Sequence, residues 1–383
     1  FFFKQKTAYE IVSRDWSSDV CSSDLSSAGD YLAARHAQAT QDTARAADLY
    51  TRTLADDPDN PELLRRTFQL MVGAGRIDDA LPIARRINAT PPGAALPALA
   101  LITEDARARR YDDALAKANK LPNDGLVAFL RPLVLAWAEA GRGNKRNAEK
   151  ALDELSAKAG FELFAAFHVA LIDDLLGDRA GAQAAYDAAV AGNKAQFVRI
   201  TEAAGAFYER IGDGERARQV YRSYERAHPD TLVMKAALAR LDAGSLAPRP
   251  VSSIDAGLAE GYFDIASLLH QERIDDVALI LTQLALRLQP DFNMARLLVA
   301  DIYETEGHLE SAIAAYESID PRAPIAWSAR LRTAVLFAEV DQVAAAVKRL
   351  EAMAEERPER SDALVALGDV LRGAERFPDA AAA

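Results

Sequence analysis

Small side chains return along this chain on a fixed stride. Ala46, Ala80, Ala114, Ala148, Ala182, Ala217, Ala278, Ala312, Ala346 and Ala380 are separated by 34, 34, 34, 34, 35, 61, 34, 34 and 34 residues. Only the step of 61 breaks the rule, and it equals one full unit plus a shortened one. A period of this size is the mark of an array in which each unit buries its apolar face only by stacking on its neighbours. Short strings recur with the marker: Gly75-Arg-Ile-Asp-Asp-Ala80, Arg110-Tyr-Asp-Asp-Ala114, Gly212-Asp-Gly-Glu-Arg-Ala217 and Gly307-His-Leu-Glu-Ser-Ala312.

Each unit reads as two helices. The first, of about 14 residues, carries apolar side chains at three- and four-residue spacing. A small or Gly-containing turn follows. The second helix holds the marker, usually a larger residue four later, and a third residue of the same face three after that. Ala217, Tyr221 and Tyr224 show this, as do Ala46, Tyr50 and Thr53, and Ala312, Tyr316 and Ile319. A small side chain lets two helices approach, and a large one a turn later fills the space beside it. Pro58, Pro229, Pro290 and Pro358 close units, because proline cannot continue a helix. The expected fold is an all-α solenoid of stacked antiparallel helix pairs.

The period, the small residue with an aromatic four later and the closing proline resemble the tetratricopeptide repeat family. The segment Thr201–Pro229 matches best, with Gly205 and Tyr208 on the first helix, Gly212 at the turn, Ala217 and Tyr221 on the second, then Pro229. The family's usual Trp near the start of the first helix is replaced by Leu64, Tyr262 or Leu364, and Asp173 stands where a Tyr is usual. The resemblance covers nearly all of residues 28–383. It divides them into a first array over 28–243, about six repeats plus a lone helix at 231–243, and a second over 254–383, about four repeats. The Pro/Ser-rich segment 244–253 is the expected bend or boundary. The chain stops at Ala383, just after a helix opens, and so reads as truncated.

Residues 1–25 stand apart. They hold the only Cys (Cys21) and a single Ala, and they resemble a translated sequencing-adapter remnant. They are expected to be foreign and disordered, and are set aside. Without them no Cys remains for a disulfide, a thiolate nucleophile or a Cys-based zinc site. Lys and Arg total 45 against 57 Asp and Glu, a net charge of −12, which disfavours nucleic-acid binding. The longest mostly apolar stretches, such as Val277–Leu286, are about half a membrane span.

Chemistry is not evident. Gly212-Asp-Gly-Glu-Arg-Ala217 fits a dinucleotide pattern in letters but sits between helices rather than after a strand. Gly141-Arg-Gly-Asn-Lys-Arg146 lacks the order of a phosphate loop. Asp78-Asp79, Asp112-Asp113 and Asp275-Asp276 recur at one repeat position, the start of a second helix, where acids favour the helix dipole. No two His lie four apart, and His168 with Asp173 and Asp174 reads as an exposed histidine beside ordinary surface acids. No catalytic residue, cofactor or metal is expected.

The resemblance implies a groove lined by first helices, at the second, fifth, ninth, twelfth and thirteenth positions of each unit. These fall on Leu96, Leu99, Leu130, Leu133, Trp137, Phe164, Phe167 and Leu171, flanked by Arg65 and Gln69 on one side and by Arg199, Glu202 and Arg210 on the other. An exposed apolar stripe marks an interface, and Trp137 is the expected anchor, whose loss should weaken partner capture without unfolding the array. The alternative is that a register slip of one makes the same residues core; a third is self-association through the stripe. The implied function is a non-enzymatic scaffold for a protein or peptide partner, similar to bacterial repeat proteins of the cell envelope. The rival is the repeat region of a larger enzyme, such as a glycosyltransferase, whose catalytic domain lies outside this chain.

Overall fold

The computed structural model describes residues 22–40, 42–89, 94–194 and 196–383, all of whose regular elements are helices. Of the 1–25 segment, 1–21 lie outside the described residues and 22–25 belong to the first helix. The protein is an all-α solenoid of antiparallel helix pairs. It divides into two compact units, one ending at Ala74 and the other Gly75–Ala383.

The first unit contains α1 (Ser22–Ala39), α2 (Thr43–Asp56) and α3 (Pro61–Gly73). Asp42 caps α2 by accepting from the Arg45 amide, and Asn60 caps α3 from two amides with Pro61 behind it. Tyr50 is fully buried and meets Tyr31 edge-on at 6.0 Å.

The second unit runs through α4 (Ile77–Ala89), α5 (Ala95–Arg107), α6 (Tyr111–Ala118), α7 (Val127–Gly141), α8 (Lys145–Ser156), α9 (Glu162–Leu176), α10 (Arg179–Gly192), α11 (Val198–Arg210) and α12 (Gly214–Ala227). A lone helix α13 (Leu232–Asp242) follows, then a helix-free stretch to Ser253. The pairs resume with α14 (Ile254–Gln271), α15 (Asp275–Leu288), α16 (Asn293–Thr305), α17 (Leu309–Glu317), α18 (Ala326–Glu339), α19 (Val343–Glu356), α20 (Asp362–Gly373) and α21 (Phe377–Ala382).

Every marker alanine lies on the second helix of a pair. Nine of the ten have no exposed surface, and Ala380 on α21 is half-buried. The reason is close approach. At Gly205 on α11 a side chain would stand 2.1 Å from the Tyr221 ring, so glycine on one helix admits the tyrosine of the other. Tyr221 then donates to Glu209 at 2.7 Å, and Glu209 also receives Arg240 of α13.

The turns follow the same stride. Gly75, Arg109, Gly143, Gly177, Gly212, Arg273, Gly307, Asp341 and Glu375 each stand five residues before a marker, and all have φ between +57° and +87°. In this left-handed state the following amide reaches back to close the helix, as Asp213 does to Tyr208 O (2.9 Å) and Ile274 to Leu269 O (2.9 Å). Four of the nine are not glycine and carry the steric cost of that conformation.

The sequence pattern placed a break at 244–253, but that segment lies inside the second unit and is tied to its helices. The Ala247 amide donates to Glu209 (3.0 Å), Arg249 pairs with Asp174 (3.3 Å), and Ala247 and Val251 are buried. Leu232 of α13 packs against Trp327, Met353 and Ala363 of the later pairs.

Ala217→Leu should overpack its pair and cost about 1–3 kcal/mol, with a smaller loss for Ala380→Leu on its half-buried helix; urea unfolding of both variants checks this. Arg273→Gly should instead raise stability by about 0.5–1 kcal/mol, because relief of left-handed strain exceeds the added chain entropy.

Candidate functional site

The first helices of units three to six bring together most of the residues expected to line a groove. Leu99 on α5, Leu130, Leu133 and Trp137 on α7, and Phe164, Phe167 and Leu171 on α9 are all buried, and Trp137 has no exposed surface. Leu96 is half-buried. Arg65 stays exposed on α3, paired with Glu62 at 2.6 Å, and Gln69 on the same helix is half-buried.

What covers the stripe is the chain itself. Helix α14 packs on α5, α7 and α9. At Gly257 a side chain would fall 2.1–2.3 Å from three Trp137 ring carbons, so the indole lies on bare backbone. One turn on, Gly261 faces His168 and Leu133 at 3.5–3.6 Å. Mid-helix glycine is costly in itself, by about 1 kcal/mol against alanine. At Gly257 it permits α14 to lie close against α7. The residues expected to line an open groove anchored by Trp137 are instead buried, not through a slip of register but because α14 lies over the first helices that carry them.

Three polar anchors set the position of α14. Arg199 makes a two-pronged pair with Glu260 (2.8 and 2.6 Å) and also holds Glu202 (2.6 Å). Thr103 Oγ1 donates to the Tyr262 oxygen at 3.3 Å. Trp137 Nε1 donates to His168 Nδ1 at 3.1 Å, which leaves the His168 proton on Nε2, 3.2 Å from Asp264 Oδ2. A ring nitrogen that accepts fixes the other as the donor. His168 is wholly buried, not exposed, because its two nitrogens are taken by α7 and α14.

Asp173 and Asp174 are likewise not surface acids. Asp173 pairs with Lys145 at 2.9 Å, and burial raises its carboxyl. Asp174 receives Arg210 and Arg249. Asp173 thus fills the family's tyrosine place with an ion pair, and Asp174 tethers the segment that leads into α14.

Burial pushes Asp264 up to about 6; the His168 hydrogen bond opposes this rise and nearby Glu260 adds to it. Pattern reading missed Gly257, Glu260, Gly261, Tyr262 and Asp264. A signal was present: glycines four apart, and carboxylates four apart, inside an otherwise apolar helix.

The patterns that resembled chemistry are structural. Gly212-Asp-Gly-Glu-Arg-Ala217 joins α11 to α12, with Asp213 capping α12, and the segment 141–146 joins α7 to α8. The three Asp pairs sit in the first turns of α4, α6 and α15. Among the described residues no His, Cys, Asp or Glu group is arranged to hold a metal, and no helix is long and apolar enough to cross a membrane.

Helical hairpins closed by a left-handed turn, each wedged on a small residue, define a helical-repeat scaffold. Two tetratricopeptide repeat models match, over residues 37–104 and 176–230. Over these two segments the chain carries tetratricopeptide repeats. It is similar to a chain in the structure of Naa15/Naa10 bound to HypK-THB (14% identity, TM-score 0.38), with 92% of this chain aligned and 63% of that one spanned. It is also similar to yeast Tom70 (12%, TM-score 0.30, 92% and 83% covered) and to the P58(IPK) TPR domain (15%, TM-score 0.25, 93% and 90% covered). Scores this low carry none of those proteins' properties to this one. No curated protein sequence matches the chain.

Trp137→Ala should open a cavity under α14 and cost about 3–5 kcal/mol. Gly257→Ala should also destabilise, and less so in a Trp137→Phe background, a coupling that a double-mutant cycle in urea would show. A carboxyl raised on folding lends stability that is complete below its unfolded pKa and lost as pH climbs through the folded one. The stability of the protein relative to Asp264→Asn should therefore fall between pH 4 and pH 6.

Proposed function

We propose that this chain takes a protein or peptide partner on the first helices of its last two units, α18 and α20. The observation that carries this is a contrast at equivalent repeat positions. In units three to five those positions are mostly buried, and α14 lies over the first helices that carry them. In the last two units, Ser328 and Glu339 on α18 and Val365, Asp369 and Arg372 on α20 are exposed. Val365 is 61% exposed, with Leu364 beside it. Apolar side chains ringed by charge are the composition of an interface rather than of an inert surface.

The first array then serves as the seat of α14, and the later units present the surface. A second copy of the chain is one partner of the required kind. Leu364→Ser with Val365→Asp should abolish partner capture in cross-linking pull-downs while leaving the melting temperature unchanged, since both side chains face solvent. Recovery of every bound protein by the double variant would rule this surface out.

A further inference from the structure

Helix α6 is short. It ends at Ala118 after 8 residues, where the corresponding helices α4, α12 and α15 run for 13 or 14. The turns that would have lain across the start of α5 are missing, and the chain leaves through Asn119 to Pro122. The result is a cavity of about 790 Å³ between the ends of α4 and α6 and the beginning of α5. Its floor is apolar, with Ala95, Ala98, Leu101 and Leu121.

Its charged lining is of one sign. Arg85, Lys117 and Lys120 border it, and no carboxylate is among its described lining residues, in a chain of net charge −12. Arg85 and Lys120 are exposed and make no side-chain hydrogen bond or ion pair among the described residues. Lys117 pairs with Asp105 at 2.5 Å, but Asp105 is already held by Arg110 at 2.8 Å, so cations locally outnumber acids. Basic residues in a last helical turn suit its free carbonyls. That accounts for where Lys117 lies, in the last turn of α6, but neither for Arg85, which precedes the last turn of α4, nor for the apolar hollow they overhang.

We propose that this notch is a binding site for a small amphiphilic anion, a carboxylate with an alkyl tail. The head is taken by Arg85 and Lys120, and the tail by the alanine and leucine floor. The volume falls within the range of about 300–1,000 Å³ in which proteins hold small ligands. The head-group attraction is solvent-exposed and hence weakened by salt.

The test is calorimetric titration of the full chain with laurate below its micelle concentration. Dodecyltrimethylammonium, with the same tail and the opposite charge, and acetate, with the head alone, are the comparison ligands. Laurate should bind once per chain, more weakly as salt rises, while neither comparison ligand binds measurably. Arg85→Glu with Lys120→Glu should weaken laurate by about tenfold or more without moving the melting temperature, since neither side chain has a partner to lose. Ala98→Phe, which fills the floor, should also weaken it. The site is overturned if laurate does not bind, if both twelve-carbon ligands bind alike, or if the charge-reversed chain binds laurate as well as the parent.

Discussion

Two helices in a hairpin can come no closer than their largest facing side chains allow. In this protein that limit is set by alanine on the second helix and, in the Thr201–Pro229 unit, by glycine on the first, where Tyr221 enters the space left by Gly205. Interior packing at crystal-like density makes the arrangement demanding, because one extra methyl in such a contact has nowhere to go. Everything else is built on repetition of that contact. The pairs stack because none can bury its apolar face alone, and the left-handed residue five places before nine of the ten alanines aims the second helix back along the first.

The same device, turned to another use, seats α14. Gly257 does for Trp137 what Gly205 does for Tyr221, but between helices more than a hundred residues apart in sequence. Apolar contact alone would tolerate sliding by a turn. The Arg199–Glu260 pair, the Thr103–Tyr262 contact and the Trp137–His168–Asp264 chain accept one register. Buried charges of this kind add little net stability against an apolar replacement and cost several kcal/mol when one partner is lost. Their role here is to specify where α14 lies.

The stride was legible because packing between sequence neighbours is local: each alanine meets a helix a few residues away, so the requirement repeats with the unit. The helix-opening Asp pairs were legible for the same reason. The left-handed turns were half legible, announced by glycine at Gly75 or Gly307 and hidden at Arg273 and Asp341, where neighbouring hydrogen bonds impose the conformation on a residue that does not favour it. His168, Asp173 and Asp174 were misread, because their partners Asp264, Lys145, Arg210 and Arg249 come from other helices or from the segment before α14.

The sequence by itself determined the class of fold, the pairing of helices and the residues wedged between them, since a fixed period of small side chains admits one economical way of hiding the apolar faces. It also identified the apolar stripe that includes Trp137. Whether that stripe met solvent, a partner or the chain itself was decided only in three dimensions. A stripe's residue types state that it must be covered; what covers it depends on where a distant helix arrives. Here the path from α13 through Ala247 and Arg249 delivers α14 to it.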